Sequence, residues 1–187
     1  MSTYFWLMNH DTLHTSRLEI VIVTPALIHE IFDQLNTQEQ MQFFGVDEQG
    51  LSHYREMHEA GMETHRISMK LFLLKLNGVV IGECGFHTWN IRHHRAELFY
   101  VIRNDENKRK GYVSEALPVI LAHGFNDMNL NRIAALTADW NLASLAVMKK
   151  FGFTFEGVMR EDYVVGDIHE DSVCYSLLKR EWLNTQL

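Results

Sequence analysis

The sequence predicts an α/β fold, a single mixed domain over residues 1–187 whose sheet is only partly parallel. Three observations predict it. Apolar, strand-like runs are interspersed with stretches of helical spacing along the whole chain. Asn77-Gly78, the strongest short hairpin signal, joins β-rich runs at 68–76 and 79–88, so part of the sheet is antiparallel. After Lys110 the apolar period changes from two to about 3.6. That change places Val113, Ala116, Leu117, Ile120, Leu121, Gly124 and Phe125 on one helical face.

The elements follow in order. Residues 17–23 (RLEIVIV) are rich in β-branched side chains and form the first strand. Pro25 opens a helix with Leu27, Ile28, Ile31 and Leu35 on its apolar face. A weaker helical stretch covers 51–62, its charges and histidines marking a partly exposed face. After the hairpin, 95–102 is a strand, 103–110 a polar connection, and 113–125 the amphipathic helix, interrupted by Pro118. A strand at 132–138, a helix at 141–151 and strands at 153–160 and 171–178 finish the chain. The order is β-α-α-β-β-β-α-β-α-β-β.

Composition narrows the function. With 47% hydrophobic and 22% charged residues the chain is an ordinary globular protein. Its net charge of −7, from 17 basic and 24 acidic residues, repels phosphate backbones and argues against nucleic acid as a partner. The same charge favours cationic small molecules or basic protein segments. No apolar run is long enough to span a bilayer, no membrane partner is expected, and residues 1–11 lack the pattern of a signal peptide. Two cysteines, Cys84 and Cys174, do not make a secreted disulfide scaffold, and a cytoplasmic location is expected.

The segment Lys108-Arg109-Lys110-Gly111-Tyr112-Val113-Ser114 carries the most chemistry. It leads from a strand into an amphipathic helix, where free backbone N–H groups and the helix dipole attract an anion. Three consecutive cations strengthen that field, and Gly111 allows close approach of a ligand. A solvated basic turn would have the same composition. Further on lie Asn141, Ser144 and Lys149-Lys150-Phe151-Gly152-Phe153. Taken singly, Asn141 reads as a helix N-cap, Ser144 as a first-turn residue and Gly152 as a helix stop.

Taken together and in this order, these segments resemble the GNAT superfamily of N-acetyltransferases. Residues 108–116 resemble its acetyl-CoA pyrophosphate loop. Asn141, Ser144 and Lys150-Phe151-Gly152-Phe153 resemble its later strand–helix segment. The ending Glu156-Gly157, Gly166, Asp171 and Tyr175 through Trp182 is similar to the RimJ/RimL-type branch, the ribosomal-protein N-terminal acetyltransferases and their relatives. The resemblance covers about 17–182. It implies a sheet of about seven strands, splayed at its centre and flanked by helices, with acetyl-CoA as co-substrate. It also implies that pantetheine pairs with the backbone of Phe99, Tyr100 and Val101, and that the amides of Lys108, Arg109, Lys110, Gly111, Tyr112, Val113 and Ser114 cradle the pyrophosphate. Asn141 and Ser144 would lie beside the thioester. Against the family pattern, Lys108 replaces Gln or Arg, Arg109 a common glycine, and Val113 a glycine or alanine.

Amine acetylation needs a deprotonated nucleophile, a polarised carbonyl and a proton for the leaving thiolate. Direct attack requires no enzyme nucleophile, and alternation groups Cys84 with Val80, Gly82 and Phe86 as a buried structural residue. Glu97 is the candidate base, since alternation sets it on the strand face of Phe99 and Val101, where its pKa would rise. Its other reading is an ion-pair partner for Arg95 or another cation. The tyrosine many relatives use as acid is replaced by Met148, so Ser144 is the candidate, with Tyr163 or solvent as alternatives. Eleven histidines occur, but without HExxH or Cys/His ligand spacing no metal is expected. The acceptor implied by the resemblance is a ribosomal or other protein N-terminus. A polyamine or other small cationic amine is the alternative, met by acidic Asp33, Glu39, Asp47, Glu48, Glu56 and Glu59. A non-catalytic acyl-CoA sensor is the reading from a different class, and a homodimer is common among relatives.

Overall fold

Where Asn77 and Gly78 form a turn with φ of 51° and 80°, the chain makes the two-residue hairpin its sequence predicts. The structure is a computed structural model and describes residues 10–61, 63–64 and 67–184. Its strands are β1 (Thr12–His14), β2 (Leu18–Val23), β3 (Glu63–Thr64), β4 (Ile67–Leu76), β5 (Val79–Asn90), β6 (Arg95–Ile102), β7 (Arg132–Thr137), β8 (Thr154–Val165) and β9 (Ile168–Leu178). Its helices are α1 (Pro25–Gln34), α2 (Thr37–Phe44), α3 (Glu48–Glu59), α4 (Tyr112–Asn126), α5 (Leu142–Lys150) and α6 (Lys179–Asn184). The strands form one sheet in the order β1-β2-β4-β5-β6-β7-β9-β8, with β3 paired to β4. Seven long strands therefore carry the sheet, and the three-residue β1 and two-residue β3 add to them.

Among the described residues only one pairing is parallel, β6 with β7, and it is short: Arg95 lies opposite Arg132, Ala96 opposite Ile133 and Glu97 opposite Ala134. Beyond Glu97 the two strands part. β6 continues to Ile102 paired on its other side with β5, while β7 continues to Thr137 paired with β9. The sheet is splayed at its centre.

Each face of the sheet covers its own apolar core. On one face, Ala96 and Leu98 of β6 join Ala116, Leu117, Ile120, Leu121 and Phe125 of α4, Met148 of α5 and Trp182 of α6. On the other, Val21, Val23, Leu71 and Leu73 meet Leu27, Ile28 and Ile31 of α1, Phe43 and Phe44 of α2, and Leu51, Tyr54 and Met57 of α3, with Phe99 packed against them. Such alternation along β6 puts Glu97 and Phe99 on the α1–α3 side and Leu98 and Tyr100 on the α4–α5 side.

Several boundaries differ from the sequence reading. The polar helix α2 is not predicted. Its signal is a capping box, in which Asn36 accepts from the Glu39 amide and Glu39 from the Asn36 amide. Helix α3 begins earlier, at Glu48, capped by Asp47, and ends at Glu59; the predicted end at Met62 lies outside the described residues. Strands β8 and β9 run on to a tight turn at Gly166 rather than stopping at 160 and resuming at 171. Pro118 does not interrupt α4, because it sits at an exposed position of a helix that continues to Asn126. Among the described residues no helix is long and apolar enough to cross a membrane.

One buried ionic cluster ties the two halves of the α1–α3 side together. Arg103, just past β6, donates to Glu83 Oε2 at 2.8 Å and to the Gly45 carbonyl at 2.9 Å, and also to the Phe44 carbonyl and Tyr54. Tyr54 in turn donates to Glu83. Burial first, and the Glu83 carboxylate second, push the Tyr54 phenol far above its ordinary value, so it stays a donor at any pH the protein tolerates.

Candidate active site at the splayed strands

The gap between β6 and β7 exposes main chain. The Arg103 amide donates to the Ile81 carbonyl of β5, whereas the His94 carbonyl accepts from the Arg132 amide of β7. Backbone groups alternate along a strand, so the odd residues Phe99 and Val101 turn theirs to β5 and the even residues Tyr100 and Ile102 turn theirs to the gap. Of the three residues expected to offer backbone there, Tyr100 is the one so oriented.

From the splayed end of β6, residues 103–111 run into the start of α4. Gly111 is the N-cap residue, with φ of 81°, and among the described residues no side chain caps the helix. The amides of Tyr112, Val113 and Ser114 are thus left for a ligand, with the positive end of a 15-residue helix behind them. Arg109, at φ 60°, also takes the left-handed conformation. Left-handed residues two apart are a feature of loops whose amides can converge on an anion. This arrangement fits a pyrophosphate.

The side chains of the loop divide in role. Lys108 is engaged locally, its Nζ 2.6 Å from Asp105 Oδ1, while Arg109 and Lys110 are exposed. Val113 packs its side chain against the core and Tyr112 is buried. A brace from the β1–β2 turn holds the loop. Glu115 accepts from Thr15 Oγ1 at 2.6 Å, from the Arg17 amide at 2.7 Å and from Arg17 Nε at 2.6 Å. Arg17 also donates to the Lys110 carbonyl at 3.2 Å and lies over the Tyr112 ring. Burial alone would raise the Glu115 carboxyl, but these hydrogen bonds outweigh it and hold the group at about 2.

Across the gap, Asn141 caps α5, its Oδ1 accepting from the Ser144 amide at 3.2 Å. The capping role does not displace Ser144, whose Oγ meets Tyr100 Oη at 2.7 Å. This bond joins β6 to α5 beyond the last β6–β7 pair. Met148, one turn after Ser144, is buried in the core and offers nothing to the gap. Tyr163 donates to Glu170 Oε2 at 2.7 Å, an oxygen that also accepts from Trp140 Nε1 at 2.8 Å. The Glu170 bond is the main reason the Tyr163 phenol is pushed up to about 12.

Glu97 stands at the fork. It is half-buried, with its Oε1 3.4 Å from His87 Nε2, and Arg95 is exposed rather than paired with it. Burial, then the charge of Asp162, raises its pKa, and burial lowers that of His87, so the imidazole beside it is neutral at pH 7. Among the described residues the carboxylate therefore has no cationic partner there to hold it ionised. Cys84 is buried and its thiol raised by that burial, away from nucleophilic use. His29 and His58 meet at 2.9 Å, and among the described residues no group of three or more His, Cys, Asp or Glu side chains is arranged to hold a metal ion.

A cleft of about 300 Å³ opens on the β7–β9–β8 part of the sheet, lined by Leu136, Ala138, Trp140, Asn141, Tyr163 and Ser172 among others. Of the acidic residues of 33–59, Glu39 and Asp47 serve as helix caps, and Glu56 and Glu59 are exposed on α3.

The splayed sheet thus opens toward a helix start that is flanked by cations. The chain belongs to the acetyltransferase (GNAT) domain family, whose model matches residues 17–154. It is 36% identical over 109 residues, 58% of this chain, to the "Putative ribosomal N-acetyltransferase YdaF" of Bacillus subtilis (strain 168); the match spans 59% of that protein's length. To the spermidine N(1)-acetyltransferase of Escherichia coli (strain K12) it is 23% identical over 119 residues, 64% of this chain and 63% of that protein. Among solved structures, a "Probable acetyltransferase" superposes with a TM-score of 0.66 at 25% identity, covering 92% of this chain and 99% of the other. The ribosomal-protein-S5-alanine acetyltransferase of Vibrio fischeri shares the fold, with a TM-score of 0.65 at 18% identity over 92% of this chain and 98% of its own.

Proposed function

We propose that the chain, acting over 1–187 as one domain in the cytoplasm, moves the acetyl group of acetyl-CoA to a primary amine by direct attack. The observation that carries the reading is the gap beyond Glu97, which leads through residues 103–111 to the uncapped start of α4. The amides of 108–114 hold the pyrophosphate, with Arg109 and Lys110 adding charge. The backbone of Tyr100, between Phe99 and Val101, lines the pantetheine path, with Asn141 and Ser144 on its far side. Acetyl-CoA supplies the acyl group already activated as a thioester.

Glu97 acts as base, taking a proton directly or through water from the nitrogen of an amine that has already given its ammonium proton to solvent. Ser144 lies on the side of the gap from which a proton returns to the leaving sulfur. The two stand on opposite sides of β6, so proton removal from the nitrogen and proton return to the sulfur come from different directions.

The acceptor in this reading is a protein N-terminus, supported by the ribosomal name of the Bacillus relative and the RimJ/RimL-like ending. One observation favours a small cationic amine instead. Trp140 and Tyr163 converge on the Glu170 carboxylate at the cleft, a setting of aromatic faces and negative charge that suits an ammonium group. Thiol release over a panel of N-terminal peptides and polyamines separates the two. Turnover on peptides with none on spermidine is the expected result, and the reverse pattern would move the assignment to the polyamine.

A further inference from the structure

The family's usual tyrosine is missing from α5, yet a tyrosine hydroxyl stands at the gap, brought by β6. We infer that Tyr100 is the general acid, donating its phenolic proton to the departing sulfur while Ser144 holds the phenol in place. The inference rests on the acetyl-transfer reading above and names the proton donor of that same site.

Geometry comes first. Tyr100 lies three residues past the last β6–β7 pair, roughly 10 Å along the strand at about 3.3 Å per residue, and its hydroxyl reaches Ser144 Oγ at 2.7 Å. Its side chain is half-buried on the α4–α5 face and Glu97 points to the opposite face, so base and acid flank whatever lies between the strands. The Asn141 cap holds the Ser144 backbone amide and so sets where the first turn of α5 presents its hydroxyl to Tyr100.

Chemistry decides between the two hydroxyls. A phenol, with an ordinary pKa of about 10, lies close to a thiol at about 8.5, so proton transfer to the thiolate is nearly balanced. An aliphatic hydroxyl resembles water, at about 15.7, and would hold its proton against the same thiolate. Burial keeps the Tyr100 phenol protonated throughout the neutral range, and the Ser144 bond offsets part of that effect.

The step balances as follows. The amine nitrogen bonds to the carbonyl carbon and Glu97 takes a proton from that nitrogen. As the carbon–sulfur bond breaks, the electron pair stays on sulfur and Tyr100 Oη gives it a proton. The resulting phenolate takes a proton back from solvent through Ser144, and Glu97 releases its proton to solvent.

The test compares Tyr100→Phe and Ser144→Ala with the unaltered chain, by turnover and by calorimetric titration with CoA and with desulfo-CoA, which lacks the sulfur. Tyr100→Phe is expected to lower kcat by about 10²-fold with acetyl-CoA affinity unchanged. It should also abolish a preference for CoA over desulfo-CoA of about tenfold. Ser144→Ala should keep that preference and at least about a tenth of kcat. A larger loss in Ser144→Ala than in Tyr100→Phe would make Ser144 the acid and overturn the inference. So would a Tyr100→Phe protein that retains the CoA preference. If the unaltered chain binds CoA but turns over no amine, the transfer reading fails, and the desulfo-CoA comparison still decides whether Tyr100 meets the sulfur.

Discussion

Glu97→Gln is expected to lower kcat by about 10²–10⁴-fold, the range for loss of a general base, with acetyl-CoA affinity held within about threefold. The substitution keeps the shape of the side chain and its place on β6, so it removes proton acceptance and little else. The pH dependence carries a sign that can be checked. A base works deprotonated, and burial together with Asp162 raises the Glu97 pKa above its ordinary 4.5. The kcat of the unaltered chain should therefore fall as pH drops through that raised value, at a higher pH than an exposed carboxylate would give. Glu97→Gln should lack this limb, and Asp162→Asn should move it downward. A Glu97→Gln protein with undiminished kcat across pH would remove Glu97 from the mechanism.

The largest expected effect on stability is at Arg103. Its guanidinium and the Glu83 carboxylate are about one-fifth or less exposed, at 20% and 16%, and they bind each other at 2.8 Å. Removing one partner leaves the other buried without its charge, a loss of about 3–5 kcal/mol in comparable pairs. Arg103→Ala should lower the urea midpoint at pH 7 accordingly. It also frees the Phe44 and Gly45 carbonyls at the end of α2, so the α1–α3 side loosens with it. Adding Glu83→Gln to Arg103→Ala should cost less than the two single losses summed, because the second change removes the stranded charge. Strict additivity would mean that the cluster is not coupled.

Much of the frame was legible in the residues because it follows local rules. The apolar stripe Leu27–Ile28–Ile31 of α1, the Asn77-Gly78 turn and the stripe from Val113 to Phe125 each need only spacing to be read. Helix α2 escaped because TQEQMQFF is short and mostly polar, and only its capping box marks it. Strands β8 and β9 were cut short because their far ends are exposed on both faces, so no alternation extends the signal.

The candidate site divides in the same way. The loop into α4 could be placed from sequence, since a glycine and cations before an amphipathic helix are local features. The Lys108–Asp105 pair was also open to view, three residues apart, and it withdraws one of the three cations. The partners of Glu97 and Tyr100 were not legible. His87 and Ser144 reach them only through the pairing of β5 with β6 and the parting of β6 from β7, which are products of the whole sheet. The brace from Thr15 and Arg17 to Glu115 spans about a hundred residues and has no local signature beyond a glutamate in a first helical turn.

The central claim is that the gap and the start of α4 together form an acetyl-CoA site. Calorimetric titration of the unaltered chain with acetyl-CoA, repeated for Gly111→Val, tests it most directly. The account predicts one site per chain, with binding weakened at least about tenfold in the variant, because a β-branched residue is strained at φ 81° and displaces the loop amides. Absence of binding by the unaltered chain, or equal binding by Gly111→Val, would contradict it.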